Sequence, residues 1–386
     1  MSLQLPPLSL YIHIPWCIRK CPYCDFNSHA VKPGDNSGTL PEADYTAALM
    51  RDLETELGYI QGREIETIFI GGGTPSLFSP QALHEILQGV AARTPLAAGA
   101  EITMEANPGT FEQERFAGFL EAGVNRLSIG IQSFNDQHLQ TLGRIHNSDN
   151  AHHAVSAARQ IGFTNINTDL MHGLPNQTPE QALEDLQTAI DLAPDHISWY
   201  QLTIEPNTEF HSRPPRLPED ETLWDIQEQG QALLAAHGYQ QYEISAYSQP
   251  GRRARHNLNY WQFGDYLGIG AGAHGKLTLA GEDRIIRRWK QRQPRAYMQA
   301  IDPISGQQTI ASEELPFEFM MNALRLHDGV STDLYTPATG MPLSQIDTKL
   351  TKLRQKGLLV DNPGRIAPTE QGRLFLNDLL ESFLED

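Results

Sequence analysis

Six short, apolar, β-branched runs recur along the first half of the chain with helix-like segments between them, and this alternation limits the fold more than any other feature. The runs are LSLYIHI, ETIFIGGG, EITMEANP, RLSIGIQS, NINTDLMHGLP and HISWYQLTIEP, over roughly residues 8 to 206. Spacers such as ADYTAALMRDLETELGYI and PEQALEDLQTAIDL separate them, which predicts parallel strands joined by right-handed crossovers. Nearly every run ends in polar or glycine-rich residues, GGGTP, MEANPG, IQSF, DLMHGLP and TIEPN, at the strand ends where parallel barrels build their sites. Six units are fewer than the eight of a closed barrel, so the expected fold class is α/β with an open, partial (β/α)6 barrel.

After Pro206 the pattern changes to a helix-like DETLWDIQEQGQALLAAHG, a strand-like QYEISAYS and an aromatic, glycine-rich tract reaching about Gly275. The sequence thus divides into a barrel over residues 1–206, an extension over 207–311 and a C-terminal unit over 312–386, whose helices with a short two-stranded wing predict a winged-helix-like shape. VKPGDNSGTLPE, residues 31–42, reads as a turn-rich loop.

A formal net charge of -18 repels phosphate backbones and argues against nucleic acid as partner. Two basic clusters, GRRARH (Gly251–His256) and RIIRRWKQRQPR (Arg284–Arg295), are either solvated faces or surfaces for an anionic ligand. No apolar run reaches the roughly 18 to 20 residues of a membrane span, and the N-terminus lacks an export pattern, so no stable membrane insertion is expected. Three cysteines without an even pairing suit a reducing compartment, which predicts a cytoplasmic protein. Gly270-Ala-Gly-Ala-His-Gly275 fits the dinucleotide fingerprint GxGxxG, but KLTLAG follows it instead of the helix that would receive a pyrophosphate.

All three cysteines fall in YIHIPWCIRKCPYCDFNSH as Cys17, Cys21 and Cys24, spaced C-x3-C-x2-C directly after the first strand. Thiolates so spaced can take three corners of an iron-sulfur cube. Zinc is the alternative, with His13 or His29 as fourth ligand.

This C-x3-C-x2-C, followed by GGGTP after the second strand, resembles the radical SAM superfamily. The resemblance implies a [4Fe-4S] cluster on Cys17, Cys21 and Cys24, with S-adenosylmethionine (SAM) on the fourth iron and its reductive cleavage giving a 5'-deoxyadenosyl radical. It implies SAM contacts from Gly72, Gly73 and Thr74, from Glu105, Gln132, Arg144 and Asp169, and from Tyr11 and Tyr23, for which a packed aromatic is the alternative. Arg144 suits the methionine carboxylate, and the acidic and amide groups suit its ammonium or the ribose.

Within the superfamily the chain resembles, over essentially its whole length, the group of oxygen-independent coproporphyrinogen oxidase and its shorter heme-chaperone relatives. The oxidase has a further cysteine two residues after the cluster motif, where this chain has Phe26, and a long N-terminal extension. HNLNYW (His256–Trp261) matches the HNxxYW motif of the chaperone branch, which implies heme with His256 as axial ligand and Tyr260 and Trp261 against the porphyrin. His274 ranks lower, and Arg252, Arg253 and Arg255 are candidates for the propionates. The resemblance therefore implies transfer of heme to an acceptor protein, one of respiration; the alternative is oxidative decarboxylation of coproporphyrinogen III. The sequence identifies no oligomeric state.

Overall fold

The computed structural model describes residues 2–31, 40–109 and 113–384, so most of the predicted turn-rich loop at residues 31–42 lies outside the described residues. The six predicted runs form β1 (Leu8–Ile14), β2 (Ile65–Gly72), β3 (Leu96–Ala106), β4 (Arg126–Gln132), β5 (Ile166–His172) and β6 (His196–Gln201), paired in that order and all parallel. Side chains alternate between the two faces of a strand. In β1, Leu8, Leu10, Ile12 and Ile14 join the main core, which leaves Ser9, Tyr11 and His13 for the inner face. The same phase recurs in Phe69, Glu105, Ser128, Asp169 and Tyr200, so a polar inner wall backs onto an apolar outer one.

The outer wall is covered by α1 (Glu42–Glu56), α2 (Pro80–Arg93), α3 (Phe116–Ala122), α4 (Ser148–Ile161) and α5 (Pro179–Asp191). Their starts are set locally. Ser79 accepts from Ala82 N ahead of Pro80, and reciprocal capping pairs Asn147/Asn150 and Thr178/Gln181 open α4 and α5.

The chain after Pro206 extends both edges of this sheet. Following α6 (Asp220–Ala236), QYEISAYS forms not one strand but a hairpin of β7 (Gln240–Glu243) and β8 (Ala246–Ser248), with β8 antiparallel to β6. HNLNYW lies on a short helix, α7 (Arg255–Trp261). The chain then crosses to the opposite edge, where β9 (Asp265–Ile269) pairs with β1 as a seventh parallel strand, and β10 (His274–Leu279), β11 (Arg284–Lys290) and β12 (Ile304–Thr309) follow antiparallel. The result is one twelve-stranded sheet in which neither outer barrel strand is left a bare edge. Strand β10 begins inside the glycine fingerprint, at His274, so no helix follows the glycines to receive a pyrophosphate.

Strand β11 is tied to α1 by buried charge. Lys290 Nζ donates to Asp52 Oδ1 and Glu56 Oε1, both at 2.5 Å, and Asp52 Oδ2 also accepts from Tyr297 Oη at 2.8 Å and Gly270 N at 3.0 Å. From Leu315 the expected helices appear as α8 (Leu315–Ala323), α9 (Ser344–Gln355), α10 (Glu370–Leu374) and α11 (Leu376–Glu381). Their two-stranded wing is β13 (Val330–Ser331) with β14 (Arg365–Ile366), and α8, α9, α11 and the wing share a second core.

Candidate functional site

The carboxyl ends of β1 to β6 enclose a cavity of about 320 Å³. The cysteine loop forms one wall. It is closed at its base by Trp16–Cys17 pairing with His29–Ala30, and turned inside by Cys24 N donating to Cys21 O at 3.1 Å. All three thiols are free and line the cavity, Cys17 buried and the others half-buried. Burial, reinforced by the charge of Cys24, pushes the Cys17 thiol up to about 11. Such a trio favours a bound cationic metal centre that holds its thiols deprotonated.

The zinc alternative fares worse. His13 has both ring nitrogens engaged, Nδ1 accepting from Tyr11 Oη at 2.7 Å and Nε2 donating to Asn27 O at 3.0 Å, while His29 Nε2 meets Asn27 Oδ1 at 3.2 Å.

Opposite the thiols stands the glycine turn. Gly72 has φ 120°, and its amide donates to Glu105 Oε2 at 3.1 Å. A Cβ on Gly73 would lie 2.4 Å from Trp16 O, so only glycine lets the turn lie against the cysteine loop. Arg144 crosses the floor, with Nη2 donating to Asn107 Oδ1 at 2.6 Å and Gly130 O at 2.7 Å, and Nη1 3.8 Å from Cys21 Sγ. Its buried Nε has no acceptor, which leaves one donor for a carboxylate. Asp169 is fixed by Ser128 Oγ at 2.7 Å and Asn167 Nδ2 at 2.8 Å. Gln132, in the left-handed region at φ 72°, accepts from Tyr200 Oη at 3.0 Å. Two carboxyl groups, one guanidinium with a spare donor and a bare glycine turn fit a zwitterionic amino acid joined to a nucleoside, as SAM is.

Sequence reasoning missed Asn107, Ser128 and Tyr200. The signal was present for Asn107, two residues beyond Glu105 and so in phase with it.

Burial, then the charge of Asp169, pushes Glu105 up to about 8 from 4.5, against the pull of the Gly72 amide. The folded chain then keeps a proton that the unfolded chain releases, so its contribution to stability is full below pH 4.5 and is lost as pH rises through 8. Urea unfolding of the ligand-free protein is expected to show this decline, and Glu105→Gln to flatten it. Equal pH slopes in the two proteins would contradict the raised carboxyl.

A second cavity, of about 580 Å³, adjoins the first, and Phe26 lines both. Its aromatic wall is Tyr11, Phe69, Tyr260, Trp261, Phe263 and Tyr266, and its polar groups include Asp25, His13, His274, Lys276, Arg287 and Arg292. Tyr23 lines the first cavity with Gly72, Gly73 and Thr74, whereas Tyr11 stands in the second.

Tyr260 and Trp261 also line the second cavity, but His256 does not. The buried His256 ring lies flat on Phe69, with centroids 4.5 Å apart and planes at 5°, and Nδ1 donates to Glu101 Oε1 at 3.0 Å. The same carboxylate oxygen accepts from the backbone N of Arg255 and His256 at the start of α7. Although burial opposes it, the His256 hydrogen bond and charge hold Glu101 down at about 2. Arg252, Arg253 and Arg255 line neither cavity and pair with Asp195, Asp328 and Glu66; of the two basic clusters, the second supplies the cavity, through Arg287 and Arg292.

Two family models match the chain, the radical SAM superfamily over residues 11–189 and the HemN C-terminal domain over residues 310–375. The chain is 54% identical to the heme chaperone HemW of Escherichia coli K12, covering 100% of both. It is 52% identical to that of Haemophilus influenzae, with 99% of each covered. The solved structure of coproporphyrinogen III oxidase (HemN) from Escherichia coli, described as a radical SAM enzyme, superposes with a TM-score of 0.81 at 23% identity, over 98% of this chain and 90% of that one, a likeness of fold. With full-length identity above one half joined to a cysteine loop and glycine turn in one cavity, the chain belongs to the HemW family of the radical SAM superfamily.

Proposed function

We propose that this chain is a heme chaperone that carries a SAM-ligated [4Fe-4S] cluster and passes heme to an acceptor protein. The observation that carries the reading is the pair of adjoining cavities, one lined by thiols and polar groups, the other by aromatic rings with cationic residues among its polar groups, with Phe26 between them. Full-length identity to proteins named heme chaperones supports it.

In this reading Cys17, Cys21 and Cys24 hold the cluster. Gly72, Gly73, Thr74, Tyr23, Glu105, Gln132, Arg144 and Asp169 hold SAM, with Arg144 Nε the free donor for its carboxylate. When bound, such a cluster would supply one-electron reducing chemistry at the SAM site. Tyr11 stands on the heme side, where Tyr260 and Trp261 offer flat apolar surface to a porphyrin. The acceptor is a heme protein of respiration, and the three unpaired thiols suit delivery in the cytoplasm.

The test is anaerobic. Reconstituted protein titrated with heme is expected to develop a saturable Soret band, and the same protein with coproporphyrinogen III, SAM and reductant to form no protoporphyrinogen. Absence of the band, or robust protoporphyrinogen formation, overturns the proposal.

A further inference from the structure

We infer that His274, at the start of β10, is the side chain that ligates heme iron in the aromatic cavity, and that His256 instead fastens α7 to β3. This assignment rests on the heme-chaperone reading and names the ligand within it.

Three histidines stand in or beside the cavity; hydrogen bonds set His13 apart, and position sets apart His256, whose Nε2 has no hydrogen-bond partner among the described residues but whose ring does not line the cavity. His13 is buried with both ring nitrogens committed, to Tyr11 and to Asn27 O. His256 is buried behind Phe69, which lines the cavity in its place, and its Nδ1 is committed to Glu101. Removing the His256 imidazole would take the side-chain donor from a buried carboxylate and leave it the two backbone amides at the start of α7, so the ring has a structural role without any ligand. His274 is exposed and lines the cavity, and neither of its ring nitrogens has a hydrogen-bond partner among the described residues. Among the described residues its only ring contact is with Trp289, at 6.3 Å and 24°.

The surroundings favour a neutral imidazole there. Partial desolvation of the ring by the cavity wall, then the charges of Arg292 and Arg287, lower the affinity of His274 for a proton, and a lone pair free of a proton is what iron requires. Competing oxygen donors are suppressed: burial pushes the phenols of Tyr11 and Tyr260 upward, away from the tyrosinate form. The same guanidiniums suit a dianionic porphyrin. Arg287 is shared with Glu318, whereas the Arg292 guanidinium has no acceptor among the described residues; Asp25 is the opposing charge on this wall.

Ferric heme added to the full-length protein tests the assignment through the Soret position and the electron paramagnetic resonance of the iron. His274→Gly is expected to lose the histidine-ligated spectrum and weaken heme binding about 10-fold or more, roughly the 1.4 kcal/mol or more of a lost ligand. Added imidazole is expected to restore the spectrum. His256→Gln, which keeps a donor for Glu101, is expected to retain it. An unchanged spectrum in folded His274→Gly, or a loss confined to folded His256→Gln, overturns the assignment while leaving heme binding intact. No heme binding by the wild type overturns the assignment together with the reading beneath it.

Discussion

Cys21→Ser is expected to reduce the iron and sulfide recovered after anaerobic reconstitution from about four of each per chain to a small residue. The oxygen of serine is a poor ligand for iron in such a cluster, and two remaining thiols hold too few corners. The fold should survive, because Cys21 is half-buried and no strand or helix depends on its sulfur; it touches Tyr23 and Arg144, and the latter keeps Asn107 and Gly130 O. A variant with wild-type circular dichroism and no cluster is therefore the expected outcome. Full iron and sulfide in that variant would remove Cys21 from the ligand set, and zinc in the wild type with no iron would restore the other metal.

Lys290→Met should cost more in stability than any cavity substitution discussed above. Lys290, Asp52 and Glu56 are each at most 1% exposed, so deleting the ammonium leaves two carboxylates facing one another without their main cation. Breaking a buried pair in this way costs about 3–5 kcal/mol. Burial already raises Glu56, against the pull of Lys290 and Arg288, so the variant is expected to take up a proton on folding near neutral pH. Urea unfolding measures the loss, and a change under about 1 kcal/mol would place the triad among pairs of little net worth. The consequence reaches the second cavity, because this contact seats β11, beside the strand that carries His274, on α1.

The barrel was legible because each of its six strands announces itself locally, with alternate apolar residues and a polar end. Strand β9 was not. Asp265–Ile269 is a short run inside an aromatic, glycine-rich tract, and its pairing with β1 joins the first barrel strand to a segment well beyond the last, which no local pattern records. The first cavity was legible for the same reason as the barrel, since Cys17 to Cys24, Gly72 to Thr74, Glu105 and Gln132 sit at or just beyond strand ends, and Asp169 lies on the inner face of β5. The second was legible only in part. The HNLNYW motif located Tyr260 and Trp261 on its wall, but the orientation of His256 follows from Glu101 on a distant strand, whose carboxylate receives both the imidazole and the start of α7. Phe26 stands out in the sequence for the cysteine it replaces; its place between two cavities emerges only when the cysteine loop is seated against β10 and α7.

The most direct measurement of heme delivery mixes the heme-loaded, cluster-reconstituted chain with the apo form of a respiratory heme protein, then separates the two and follows the Soret absorbance. The expected result is heme leaving this chain and appearing in the acceptor faster than from the same concentration of free heme. Heme that stays with this chain, or reaches the acceptor no faster than free heme does, would contradict the chaperone account.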